Sequence, residues 1–335
     1  MNEYFEKRFS RLLNVTEMYF PDDVDLNQYP RFLYKYKDFS SPYGLDMLKN
    51  QYLWAAKPNE SWDNDDSRIR LSMDDADKTR LHKFLFEHYF EIQYCYMQPK
   101  GMQPYKNNAT LQEYLSKQEK LNKEYKRLLP FLTSPAFEGM CDAVLSLPDV
   151  KPLEAKMKLN LENTVEFWRK RALVCCLTAR NDNRRMWETY ANGYEGFVME
   201  YDFRNIQNLN QMNYIGNTFP IIYCPKNNMP SSNYVDCIID AYMYDLGYQQ
   251  NIEKFNSNTG KFMLYKNDEY ELEEEWRILV KENKLDFPVN AIYIGYKCLP
   301  EHEQELVNIC RELNISAYKQ KFNMISGKMY FDPIT

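Results

Sequence analysis

ALVCCLTARNDNRRMWETYANGYEGFVMEYDF, residues 172–203, is the stretch that decides the fold. Residues 172–179 are continuously apolar between polar neighbours, the pattern of a short buried strand. Residues 181–194 then read as a loop into a short helix that Gly193 closes. Residues 196–203 alternate apolar and polar side chains and predict a further strand. A strand, a helix and a strand thus fit within one short segment, with no glycine-rich turn of the G-x-G-x-x-G or Walker A type anywhere in the chain.

Working outward, the segments on both sides are strand-rich. RFLYKYKDF (31–39) and YLWAA (52–56) read as strands, and Ser40-Ser41-Pro42 opens a helix carrying Leu45, Met47 and Leu48 between them. Residues 1–20 place Phe5, Phe9, Leu12 and Leu13 at helical spacing. On the other side, TFPIIYCP (218–225), WRILVKE (276–282) and AIYIGYKC (291–298) read as strands. Residues 231–255 and 301–314 read as helices, and two strands, 315–322 and 328–334, close the chain. Residues 70–170 are mostly helical in pattern. Strands at both ends of a helical middle predict an α+β fold. The expected architecture is a mixed, mostly antiparallel sheet core in one domain, 1–335, with a large helical insertion at 70–170.

Composition narrows the function classes. The 335 residues are 44% hydrophobic, enough for a substantial core, and the formal charge is −6. Bulk charge therefore gives no support to nonspecific nucleic-acid binding. Eight cysteines are scattered without a C-x-x-C, and three histidines show no metal-ligand spacing. Reduced thiols and no metal centre are expected. The first twenty residues lack the apolar run of a secretory signal, and no stretch reaches about eighteen consecutive apolar residues. The expectation is a cytoplasmic protein with no membrane contact.

Three segments carry residues suited to chemistry. In the strand at 31–39, Tyr34 and Tyr36 share a face and Lys35 points the other way. The tyrosines could stack on nicotinamide, adenine or a base and Lys35 could hold phosphate; the plain alternative is an aromatic strand with a solvated lysine. In Arg184–Tyr190, Met186 and Tyr190 lie one helical turn apart with Trp187 beside them. Trp187 reads as core or as ligand-binding surface; Tyr190 is the stronger functional choice, because a buried hydroxyl needs a partner. The third segment is Glu271-Leu272-Glu273-Glu274-Glu275-Trp276-Arg277. A glutamate run is ordinarily a solvated face. If the following strand starts early, however, Glu273, Glu275 and Arg277 share one side of it, with the carboxylates about 7 Å apart. Like charges at that spacing raise one pKa unless a cation intervenes, and Arg277 is placed to be that cation. The turn Asp63-Asn64-Asp65-Asp66 lacks the spacing of a calcium loop and reads as a cap.

Tyr34-Lys35-Tyr36, Met186-Trp187-x-x-Tyr190-Ala191 with the strand at Gly196–Glu200, and Glu273-x-Glu275-Trp276-Arg277 together resemble a bacterial family known as domain of unknown function 2971. The order extends over residues 31–320, and the acidic turn at 63–65 lacks the proline of the family pattern. The family implies no activity. A second resemblance, at fold level, is to ADP-ribosyltransferase-like proteins, in which an early strand, a helix and a short strand precede a catalytic glutamate at the start of a late strand. That likeness implies NAD as co-substrate and Glu275 or Glu273 as the carboxylate that stabilises an oxocarbenium-like transition state. It further implies Lys35 or Arg185 on the pyrophosphate, Arg277, Trp187 and Tyr36 about the ligand, and Tyr34 or Tyr190 on the nicotinamide. The acceptor is a protein or a nucleic acid, in the setting of phage defence or a toxin. The competing expectations are a non-enzymatic module that binds a nucleotide or a protein, and a metal-dependent nuclease built on Asp63, Asp65 and the glutamates.

Overall fold

The computed structural model describes residues 1–14, 24–40, 43–58, 172–225, 235–240, 261–323 and 329–334, with single helical positions at 80, 81, 84, 159, 163, 166 and 170. The acidic turn at 63–66 and the rest of the expected 70–170 insertion lie outside the described residues. The chain divides into two compact units. One comprises Met1–Ser67, Arg169–Pro225 and Met263–Thr335; the other comprises Arg68–Trp168 and Lys226–Phe262. In the latter, residues 235–240 are helical, Val235, Cys237 and Ile238 are buried, and Arg80 pairs with Asp236 at 3.0 Å.

The first unit holds the strands β1 (Phe32–Lys37), β2 (Tyr52–Trp54), β3 (Leu173–Thr178), β4 (Phe197–Asp202), β5 (Thr218–Pro220), β6 (Ile222–Cys224), β7 (Tyr265–Asn267), β8 (Glu275–Val280), β9 (Lys284–Asp286), β10 (Ala291–Ile294), β11 (Ser316–Phe322) and β12 (Met329–Pro333). Its helices are α1 (Glu3–Asn14), α2 (Tyr43–Lys49), α3 (Arg184–Tyr190), α4 (Leu209–Gly216) and α5 (Pro300–Leu313). Among the described residues, eight strands form one sheet in the order β12-β11-β10-β4-β1-β3-β8-β5. Every neighbouring pair in it is antiparallel except β10 and β11, which run parallel. A parallel pair needs a long crossover, and α5 supplies it. Its start carries Pro300 with Glu301 and Glu303, its last turn Arg311, and Asn314 ends it in the left-handed conformation. The fold is α+β on a mixed, mostly antiparallel sheet.

One face of the sheet builds the main core. Leu33, Met199, Tyr201, Ile292 and Ala317 pack there with Phe5 and Phe9 of α1, Met47 and Leu48 of α2, and Leu306 and Cys310 of α5. Each such leucine or phenylalanine contributes about 1.5–3 kcal/mol by leaving water. The opposite face is aromatic. Tyr34, Tyr36 and Val198 pack against Trp187 and Ala191, with Tyr194 closing the cluster.

Register gives this second face its order. Glu275 lies opposite Thr178, Thr178 opposite Tyr34, Tyr34 opposite Glu200, and Glu200 opposite Ala291. Directly opposed residues share a face. A single cross-strand row therefore sets Glu275, Thr178, Tyr34 and Glu200 side by side, three strand spacings or roughly 14 Å from end to end.

Three features depart from the sequence expectations. The segment 196–203 alternates in polarity, yet every residue of β4 is buried, because both faces of this central strand are covered. Its acid Glu200 accepts from Asn290 Nδ2 and from the Tyr293 hydroxyl, each at 2.6 Å. TFPIIYCP is two strands: β5 ends at Pro220 and pairs with β8, while β6 turns away to pair in parallel with β7. Helix α4 and strand β9 have no counterpart in the sequence reading.

Candidate functional site

The site grows from the start of β8. Residues Asp268–Glu273 wind a 3-10 helix, Glu274 takes the left-handed conformation with φ 46°, and the strand begins at Glu275. The expected continuous ladder of Glu273, Glu275 and Arg277 along one strand is therefore corrected. Glu274 makes the turn from helix to strand, and the turn brings the Glu273 and Glu275 carboxylates to a common partner. That partner is Lys266, the middle residue of β7, whose Nζ donates to Glu273 Oε2 at 2.7 Å and to Glu275 Oε2 at 2.6 Å. Arg277 is not the cation between the two acids; its Nε donates to the other oxygen of Glu275 at 2.7 Å, and its Nη1 to the Met263 carbonyl at 2.7 Å. All four side chains are at most 8% exposed.

Backbone and hydroxyl contacts lock the geometry. The Thr178 hydroxyl donates to the Glu273 carbonyl at 2.6 Å, Ala179 N–H to the Glu274 carbonyl at 3.2 Å, and Glu275 N–H to the Tyr223 hydroxyl at 2.7 Å. Helix α3 is tied to the same turn. Asn183 caps it by accepting from Met186 N–H, and the Asn183 amide donates to the Leu272 carbonyl. Arg185 reaches over from α3 to lie 3.9 Å from Glu273 Oε1, donates to the Glu269 carbonyl, and rests on the Tyr270 ring at 4.7 Å. Lys266 meets the same ring at 4.9 Å.

The two acids are pushed in opposite directions. Burial raises the Glu273 carboxyl, and the Lys266 ammonium opposes that without overcoming it. Burial also acts against the ionised form of Glu275, but Arg277 and Lys266 overcome it and hold this carboxyl at about 2. Burial would discharge Lys266 as well, and the two glutamates keep it charged, above its ordinary range. The site thus contains one carboxylate held ionised next to one whose proton affinity is raised, the combination that separates a charge-stabilising role from a proton-transfer role.

Tyr190 stands at the margin of this cluster. It is 41% exposed, and among the described residues its hydroxyl has no hydrogen-bond partner. Burial raises its phenol, Lys266 lowers it, and Glu273 and Glu275 raise it, so the ring lies within electrostatic reach of all three.

The remaining predicted residues are elsewhere. Trp187 is completely buried, donates its indole N–H to the Asn181 carbonyl at 2.7 Å, stacks on Tyr194 and meets Tyr36 edge-on. Tyr36 is buried with its hydroxyl donating to the Arg180 carbonyl at 2.9 Å. Tyr34 is buried beside Glu200 and Tyr293, away from the Glu275 carboxylate by the width of Thr178. Lys35 donates to the Cys176 carbonyl at 2.6 Å. The structure thus gathers Glu273, Glu275, Arg277, Arg185 and Tyr190, and leaves Tyr36 and Trp187 in an aromatic cluster. Sequence reasoning missed Lys266, Tyr223 and Tyr270. The signal for Lys266 was a lysine ending the apolar run KFMLYK directly before an acidic stretch, a cation without need of burial unless the acids share it.

Residues 186–278 match the model of a family described as "Protein of unknown function (DUF2971)". The resemblance to that family therefore holds over the segment from α3 to β8, which carries Tyr190, Lys266, Glu273, Glu275 and Arg277. Neither a curated protein nor a solved structure matches the chain.

Proposed function

We propose that this chain transfers a glycosyl group from NAD, in the manner of an ADP-ribosyltransferase, with Glu275 as the carboxylate that faces the reacting ribose. The observation that carries the reading is the Glu275 carboxylate itself, buried at the head of β8, held ionised by two cations, and bordered by the half-exposed Tyr190. Cleavage of the nicotinamide–ribose bond leaves positive charge on the anomeric carbon. A fixed anion in a poorly solvated setting stabilises that charge far better than water does. As the acceptor's oxygen or nitrogen bonds to that carbon, nicotinamide departs with the electron pair of the broken bond, and the acceptor's proton needs a base. Glu273, with its raised proton affinity, suits that task. Arg185, exposed on one side and stacked on Tyr270, suits a phosphate group of the dinucleotide. Tyr190 offers a ring for the departing nicotinamide.

One observation favours a second reading, a binding module without turnover. Both oxygens of Glu275 are already taken by the chain's own Arg277 and Lys266, as in a purely structural ion network. The same two acids argue against the nuclease reading, because an ammonium fills the space between them where a metal ion would sit. The discriminating experiment is nicotinamide release and label transfer from NAD, with protein and nucleic acid as acceptors, by the wild type and Glu275→Gln. Release by the wild type alone, with both proteins folded, is the expected result. Absence of release from either, with a ligand still bound, leaves the binding module.

A further inference from the structure

Among the described residues, the eight-stranded sheet loses its pairing between β1 and β3. Strands β1 and β3 are neighbours but register at Tyr34 and Thr178 alone. Farther along β3, Val174 exchanges backbone hydrogen bonds with Ala56. Between these two closures, Cys175, Cys176 and Leu177 have no register partner on β1. In place of a ladder bond, the Cys176 carbonyl accepts from Lys35 Nζ at 2.6 Å.

Lys37 lies two residues on, on the same face of β1 as Lys35. Its stem runs past Gly44, where a Cβ would sit 3.2 Å from Lys37 Cβ. Lys35 has found an acceptor; Lys37 has no hydrogen bond or ion pair among the described residues. The ammonium is pushed down to about 8, first by burial and then by Lys35, while Cys175, Asp38 and Cys176 draw it upward. Two lysines on one face of β1, one of them without an acceptor among the described residues, are costly to keep charged in a partly buried place unless an anion joins them. Among the described residues no carboxylate pairs with Lys37, whereas two pair with Lys266.

We propose that Lys35 and Lys37, at the opening between β1 and β3, form an oxyanion site that receives a phosphoryl group. Lysine meets such a ligand as a compact charge, and two lysines on alternate positions of one strand can each address a different oxygen. Glu275 shares the Tyr34 face of the sheet and Lys35 and Lys37 take the other face of β1, so the oxyanion site is separate from the carboxylate site. It does not depend on the glycosyl-transfer reading, because it binds whether or not Glu275 turns anything over.

The test is isothermal titration of the full chain with ADP-ribose and, separately, with sulfate, at pH 7 and pH 9. The charge on both ligands is constant over that interval. The wild type binds more tightly at pH 7, because the Lys37 ammonium discharges in between. Lys37→Met weakens binding at least tenfold at pH 7. Lys37→Arg retains binding and removes the difference between the two pH values, since a guanidinium stays charged. Binding of ADP-ribose with this pattern identifies a nucleotide phosphate; the same pattern with sulfate alone identifies a free oxyanion, and either supports the site. Absence of binding by folded wild type, equal affinity of wild type and Lys37→Met, or a pH dependence that survives Lys37→Arg overturns it. A thermal melt of each variant establishes folding, and Lys37→Arg carries the test if Lys37→Met does not fold.

Discussion

Lys266→Met removes the ammonium that holds two buried acids together while keeping most of the aliphatic stem. Lys266 makes two short bonds to carboxylates, at 2.7 and 2.6 Å, with all three groups nearly sealed from water. A hydrogen bond to a charged group is worth about 1.5–3 kcal/mol, and taking one partner from a buried ion pair costs about 3–5 kcal/mol. A loss of about 3–5 kcal/mol at pH 8 is expected. The pH dependence separates this cause from simple loss of packing. Without the ammonium, burial and the Glu275 charge push the Glu273 carboxyl further above its ordinary 4.5. A folded-state pKa above the unfolded one means that the native protein holds the proton more tightly. The stability so gained is fully present below the unfolded pKa and is lost as pH rises through the folded one. The deficit at pH 5 is therefore smaller than at pH 8, and adding Glu273→Gln recovers part of it at pH 8. Urea unfolding followed by tryptophan fluorescence reads all of this, since Trp276 is adjacent to Glu275 in the chain. A deficit under about 1 kcal/mol at pH 8, or the same deficit at both pH values, would refute the account.

The other predictions concern neighbouring features. Glu275 is held at about 2 against an ordinary 4.5, so it contributes stability above the unfolded value that disappears as pH falls through about 2; acid unfolding of Glu275→Gln lacks that component, worth roughly 3 kcal/mol. Trp187→Ala empties a fully buried site and breaks the bond to the Asn181 carbonyl, a loss of about 3–5 kcal/mol in chemical denaturation. Tyr190→Phe removes a hydroxyl with no hydrogen-bond partner among the described residues, so stability stays within about 0.5 kcal/mol, and under the proposed function NAD cleavage falls. Gly295→Ala places a methyl group 2.1 Å from the Tyr194 carbonyl oxygen; a melting temperature equal to wild type would contradict the close approach seen there.

How far the sequence could be read follows from where each constraint resides. The strand at 276–280 was legible because W-R-I-L-V is strand-forming along its own length, and α3 was legible as a short helix after a polar loop, closed by Gly193. Glu275 and Arg277 were correctly placed on one face, since alternation is local. Lys266 was not legible as their partner. Its role depends on the parallel pairing of β6 with β7 and on the left-handed Glu274, and both are set by packing. Trp187 showed the same limit in reverse: its helical position left core and surface open, and only its contact with Tyr36 and Tyr194 decides it. Helix α4 escaped notice because Asn210, Gln211 and Asn213, with Leu209 exposed, blur the apolar period. Strand β9 is too short, at three residues, to carry a pattern.

The row that joins Glu275, Thr178, Tyr34 and Glu200 exists in one strand alignment alone. Side chains alternate with a period of two, so a slip of one residue between β1 and its neighbours would turn Tyr34 and Tyr36 into the core and bring lysines to the aromatic face. Such a misassembled sheet would keep its strand content and its circular dichroism. It would lose the order of charged and aromatic groups across the face, and a ligand that touches both ends of the row would detect the error where spectroscopy of the backbone could not.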